Sequence, residues 1–203
     1  MLKKFLKLQF FIVLLTIGTI PHADPYSLAN ISQYLTNLKL VKADFSQTNA
    51  DGTISSGMIL IKRPGRMRFE YYKPDNTLVL VSAGALAIFD PKGNQEPITY
   101  PINDNPISLI LKGEVDLLNS RIVGNFKVSI QKAVLEIRDP KKPERGSVEL
   151  VFTGAKPELA EFSIKNENGS STSILLKDIE YPKELNETLF SIPLETNKRR
   201  AKD

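Results

Sequence analysis

Residues 57–74, GMILIKRPGRMRFEYYKP, decide how the rest of the chain is read. Pro64 and Gly65 stand in the middle and both favour a turn, proline by presetting φ and glycine by tolerating positive φ. After the turn, Met67, Phe69 and Tyr71 alternate with Arg66, Arg68 and Glu70. A period of two sends the bulky apolar set to one face of a sheet and the charged set to the other. Before the turn, Ile59, Ile61 and Arg63 share one parity, while Met58 and Leu60 make the second parity apolar too. The stretch reads as a hairpin of an antiparallel sheet, with apolar neighbours on both faces of its first strand.

Working outward, residues 77–82 (TLVLVS) are apolar at both parities, which marks a central strand. A turn at Gly84 leads to a strand over 85–89, ended by Asp90-Pro91. Upstream, 41–47 reads as a strand followed by an Asp51-Gly52 turn. Ser27 can cap a helix whose apolar face is Leu28, Ile31, Leu35 and Leu38. Residues 105–113 combine a capping Asn105, Pro106 at the first helical position and a closing Gly113. In this two-turn helix Ile107, Leu109, Ile110 and Leu111 nearly encircle the axis, so it must cover something apolar. A second short helix is expected over 114–119. Strands follow at 126–131, 133–138, 148–152, 159–165, 171–179 and 190–192, separated mostly by Pro/Gly/Asn turns. The pattern is a meandering antiparallel sheet curling toward a barrel. The charged end, 198–203, reads as a frayed tail.

The 203 residues suit one domain with a real core, and a charged fraction of 25% beside 41% hydrophobic residues is globular. Lys3, Lys4 and Lys7 precede an apolar run over 8–20 that falls short of the ~20 residues a spanning helix needs. Residues 1–23 therefore read as a signal peptide and 24–203 as the single mature domain. Removing three of the 27 basic residues leaves 24 against 23 acidic, a net +1, so no nucleic-acid field is expected. The chain has no cysteine, and its one histidine is His22, at the end of the signal. Thiol catalysis, disulfides and the commonest general base are thereby removed, which argues against an enzyme. Asp90, Asn94 and Glu96 lack the ligand pattern of a calcium loop, and no metal or other cofactor is expected. Glu70 and Asp90 lack a second acid at a diagnostic spacing.

The order of these segments resembles the LolA family. The matching pieces are Ala43-x-Phe45-x-Gln47, Gly57, the run from Lys62 to Pro74, Phe89-Asp90-Pro91 with Gln95, Pro106-x-x-Leu109-Ile110, and Phe190-x-Ile192. The family often has Trp where Phe69 stands and Asp-Gly in the turn where this chain has Ser82-Ala83-Gly84. The resemblance implies a mainly β fold, an incomplete and strongly curved antiparallel β-barrel with a short-helix lid. It implies a monomeric periplasmic carrier that accepts acylated lipoproteins from an inner-membrane ABC transporter and takes them to the outer membrane; a downstream outer-membrane receptor stays open. On this basis Ile59, Ile61, Met67, Phe69, Tyr71, Leu78 and Leu80 are expected to line the acyl-chain cavity. Ile107, Leu109 and Ile110 would form the lid, and Arg63 the latch that hydrogen-bonds it. The alternative is a related half-barrel lipid-binding sensor or envelope-regulator module. Lys62, Arg66, Arg68 and Lys73 form a basic cluster that reads either as a docking patch or as a solvated sheet face.

Overall fold

A computed structural model describes residues 25–93, 96–118 and 121–201. The hairpin forms where the alternation places it. Strands β2 (Ile54–Lys62) and β3 (Arg66–Tyr71) pair with Ile59 opposite Phe69 and Ile61 opposite Met67. On one side, β4 (Leu78–Ser82), β5 (Ala85–Phe89) and β6 (Ile98–Pro101) continue the meander; on the other, β2 pairs with β1 (Leu40–Thr48). A second meander holds β7 (Val123–Ser129), β8 (Lys132–Arg138), β9 (Ser147–Thr153), β10 (Glu158–Lys165) and β11 (Ser171–Glu180). Pairing of β11 with β1 joins the two into one antiparallel sheet, ordered β6-β5-β4-β3-β2-β1-β11-β10-β9-β8-β7. The sheet does not close, and β6 and β7 are its edges.

This order explains the lid. The chain leaves the sheet at one edge and must re-enter at the other, so the segment between β6 and β7 crosses the inner face. Its first part is two short 3-10 helices, Ile102–Asp104 and Pro106–Leu109. Asn105 caps the second by accepting from the Ile107 N–H at 3.0 Å, and Pro106 follows at the first helical position. Ile107, Leu109 and Ile110 are buried against β8, β9 and β10. Residues 114–118 form no helix, only a turn at 117–118, and Asn119 lies outside the described residues. The reason is that Val115 and Leu117 point into the core from an extended stretch held by α1 (Leu28–Asn37). Helix α1 is capped by Ser27, which accepts from the Asn30 N–H, and buries Ile31 and Leu35.

The inner core contains Phe45, Ile59, Ile61, Met67 and Phe69 from the first half and Leu135, Leu150, Phe152 and Phe162 from the second. The sheet's outer face is covered as well, by the chain's end. There Leu185 and Phe190 pack on Leu60, and Ile192 packs on Leu78, Leu80, Ala87 and Phe89. Two expectations fail here. Residues 190–192 are not a strand: a 3-10 turn (Glu187–Phe190) ends at Ser191, which caps helix α2 (Ile192–Arg200) with Pro193 in its first turn. The charged end is not a frayed tail as far as Arg200, because Arg199 lies over the Phe89 ring at 4.9 Å and Arg200 pairs with Glu96. The expected strand 126–131 ends earlier, and Ile130-Gln131 is the turn of the β7–β8 hairpin.

Candidate functional site

The inner face of β3 carries an aromatic floor. Phe45 meets Phe69 edge-on at 5.4 Å and Tyr71 edge-on at 5.1 Å, while Phe69 and Tyr71 stack at 6.4 Å. Gly57 makes this packing possible: a Cβ there would lie 2.8 Å from the Phe45 ring and 2.3 Å from the Glu70 carbonyl oxygen. Beyond the floor a cavity of about 470 Å³ opens between the sheet and the lid. Phe69, Tyr71, Val79, Leu86 and Ile88 line it from the first half of the sheet, Ile164 and Ile174 from the second, and Ile107 from the lid. Polar groups sit at its rim, among them Gln47, Tyr100, Asp104 and Asn166. Asp104 is neutralised by Arg145 at 2.5 Å, and the Tyr71 hydroxyl donates to Gln47 Oε1 at 2.7 Å. Burial pushes the Tyr71 phenol up to about 12, so it stays neutral. An apolar wall with neutral polar groups suits a ligand with a long uncharged apolar part.

Of the expected cavity residues, Phe69 and Tyr71 line this space, and Ile107 covers it. Ile59, Ile61 and Met67 share the face but are packed beneath the lid in the closed core. Leu78 and Leu80 do not belong. Val79 and Val81 face inward opposite Phe69 and Met67, so the alternate residues Leu78 and Leu80 pack outward beneath Ile192. Leu109 and Ile110 are buried in the lid without lining the cavity. Val79, Leu86, Ile88, Ile164 and Ile174 were not singled out in the sequence; alternation from Phe69 through the strand register finds the first three.

Arg63 is buried, with 6% of its surface exposed, and no carboxylate among the described residues lies within ion-pair distance of it. Its guanidinium donates only to backbone carbonyls. Nη1 reaches Leu35 O and Leu38 O at the C-terminal end of α1, and Nε and Nη2 both reach Lys112 O in the crossing segment. One cation thus ties both covering pieces to the β2–β3 turn, where Gly65 N–H also donates to Leu111 O at 2.9 Å. A helix C-terminus is the end that favours positive charge. Burial pulls the arginine pKa below its ordinary value, a cost the carbonyl dipoles offset. Ser32 links the two pieces to each other, donating to Val115 O and accepting from Leu117 N–H.

Three residues of the basic cluster, Lys62, Arg66 and Arg68, are paired rather than free. Lys62 and Arg66 both contact Glu187, and Arg68 contacts Glu70 and lies 3.9 Å from Glu195. These ion pairs fasten the C-terminal segment to the outer face, which favours the structural reading of the cluster. Asp90 is likewise engaged, accepting from the Lys92 N–H in its turn, and Asn94 lies outside the described residues.

Residues 36–193 match the family model for the outer membrane lipoprotein carrier protein LolA, which spans both meanders, the lid and Arg63. The chain belongs to the LolA family. An outer-membrane lipoprotein carrier protein of Coxiella burnetii is 26% identical over 189 residues, covering 88% of each chain. One of Methylococcus capsulatus is 24% identical, covering 87% of this chain and 88% of the relative. Among solved structures, a LolA superfamily protein from Nitrosomonas europaea superposes with a TM-score of 0.43 at 10% identity, covering 79% of this chain and 97% of that one.

Proposed function

We propose that this chain is a periplasmic carrier that shields the acyl chains of lipoproteins released at the inner membrane by an ABC transporter and delivers them toward the outer membrane. The observation that carries the reading is an apolar cavity under a lid held by backbone-directed bonds from one buried arginine. Acyl burial is worth ~0.8 kcal/mol per CH₂, so leaving one long chain in water costs roughly 10 kcal/mol. A carrier must offset that cost and still release its load. Arg63 meets both needs as a latch: its bonds hold α1 and the crossing segment against the sheet, and an entering chain replaces them with apolar contact. Its partners are carbonyls, which water satisfies once the lid is displaced, so opening strands no buried charge. The role is binding, not catalysis.

The test is release of lipoprotein from spheroplasts of the host by purified mature protein, followed by assay of the supernatant for a soluble complex with acylated lipoprotein. Release is expected, and Arg63→Leu is expected to impair loading or handover while leaving the sheet folded. Competent spheroplasts that release nothing to the wild-type protein would overturn the carrier reading, and normal transfer by Arg63→Leu would overturn the latch.

A further inference from the structure

The most exposed large apolar side chain among the described residues lies far from the cavity mouth. Ile130 is 97% exposed at the turn of the β7–β8 hairpin. It ends an apolar line along one parity of the edge strand: Phe126 packs partly into the core, Val128 is 44% exposed, and Ile130 stands clear. A single exposed isoleucine is ordinary on a protein surface, but a line running from the core to a hairpin apex is not scattered exposure. The surroundings are basic. Lys127 and Lys132 flank the apex on the same hairpin, and Lys156 lies in the neighbouring β9–β10 turn. One carboxylate shares this end: Glu158, opposite Thr153 in the next strand pair, accepts a 2.7 Å bond from the Tyr181 hydroxyl and keeps its charge, so the three lysines outnumber it.

Two occupants could cover such an apex, and the backbone separates them. Strand addition needs a flat, regular edge, whereas β7 is bulged between Val123 and Phe126 and carries Lys127, both of which discourage edge pairing. An apolar tip ringed by lysines is instead the form of a shallow membrane insertion, with the side chain among the acyl boundaries and the ammonium groups at anionic headgroups.

We infer that the Ile130 hairpin is a lipid-contacting finger that docks the protein on anionic membranes, independently of the cavity and its load. The chain contains no tryptophan, so Ile130→Trp introduces a single reporter at the apex. The variant, without lipoprotein, is mixed with phosphatidylcholine vesicles with and without one-quarter phosphatidylglycerol. Its emission is expected to shift to the blue on the anionic vesicles and far less on the neutral ones. In flotation with the same vesicles, Ile130→Asp should lower the bound fraction at least tenfold, and Lys127→Gln with Lys132→Gln should remove the anionic preference. The apex is solvent-exposed, so these variants keep the fold, which far-ultraviolet circular dichroism checks. Unshifted emission on anionic vesicles overturns the proposal, whether or not the protein floats. So does equal flotation of Ile130→Asp, or a blue shift that tracks protein concentration without lipid and marks a second copy as the occupant.

Discussion

Replacing Arg63 by leucine tests the latch at its foundation. The side chain makes four hydrogen bonds to three carbonyls, those of Leu35, Leu38 and Lys112. Charge-assisted bonds contribute ~1.5–3 kcal/mol each, and desolvation of the unpaired guanidinium cancels much of their sum. A net loss of about 3–5 kcal/mol for the closed lid is what remains, because the leucine also leaves carbonyls without donors. Opening returns those carbonyls to water, so the penalty falls on the lid and not on the sheet. Native-state hydrogen exchange separates the two. The amides of Leu38, donating to Tyr34 O, and of Gly65, donating to Leu111 O, report the lid; amides paired between β9 and β10 report the sheet. A loss of about 3 kcal/mol corresponds to roughly 100-fold faster exchange at the lid, with the sheet changed much less. Arg63→Lys should fall between, since one ammonium cannot hold carbonyls on both pieces in the geometry of a planar fork. Equal acceleration in lid and sheet would refute the reasoning, because Arg63 would then be a core residue and not a latch. No acceleration would show that the carbonyls have other donors.

Gly57→Ala places a Cβ 2.3 Å from the Glu70 carbonyl, a backbone atom that cannot swing aside, and should cost ~1–3 kcal/mol in chemical denaturation. Phe190→Ala empties the outer cluster under the C-terminal segment and should cost about 3–5 kcal/mol, while lid exchange stays as in the wild type. Alkaline titration should weaken the fold through Tyr71. Its folded pKa of about 12 exceeds the ordinary 10.0, so its contribution is intact below pH 10 and lost as pH rises toward 12, by at most ~2.7 kcal/mol. Tyr71→Phe should flatten that part of the stability-versus-pH curve, and an unchanged slope in urea titrations from pH 9 to 12 would count against it.

The hairpin and the lid were legible because their signals are local. Alternation in 66–71, a proline-glycine turn and the Asn105-Pro106 cap each act within a few residues, although the two-turn helix expected over 105–113 is a single 3-10 turn, Pro106–Leu109. What the sequence hid depends on partners distant along the chain. Both parities of 78–82 are apolar because the lid side covers one and the C-terminal segment the other, so periodicity could not say which leucines face the cavity. That same segment was misread because Phe190 and Ile192 look like strand residues, although Ser191 and Pro193 together mark a helix start. Strand β6 escaped notice because its four residues are all exposed. The position of Arg63 in the sequence suggested its role only through resemblance. Its partners are carbonyls, and carbonyls belong to every residue, so no side-chain pattern betrays them.

The seam between β1 and β11 has a consequence for how the molecule comes into being. Lys42 and Glu180, paired across it, are 138 residues apart, whereas neighbouring strands within each meander are joined by short turns. The chain emerges N-terminus first, so the first six strands can pair while the last have yet to follow, and β1 then waits with a bare edge. Loop-closure entropy makes that last pairing the slow one. During the wait the apolar inner face lies open to any extended chain nearby. This protein, like the cargo we assign to it, therefore passes through a stage in which it needs shielding itself, and the hazard ends only when β11 arrives.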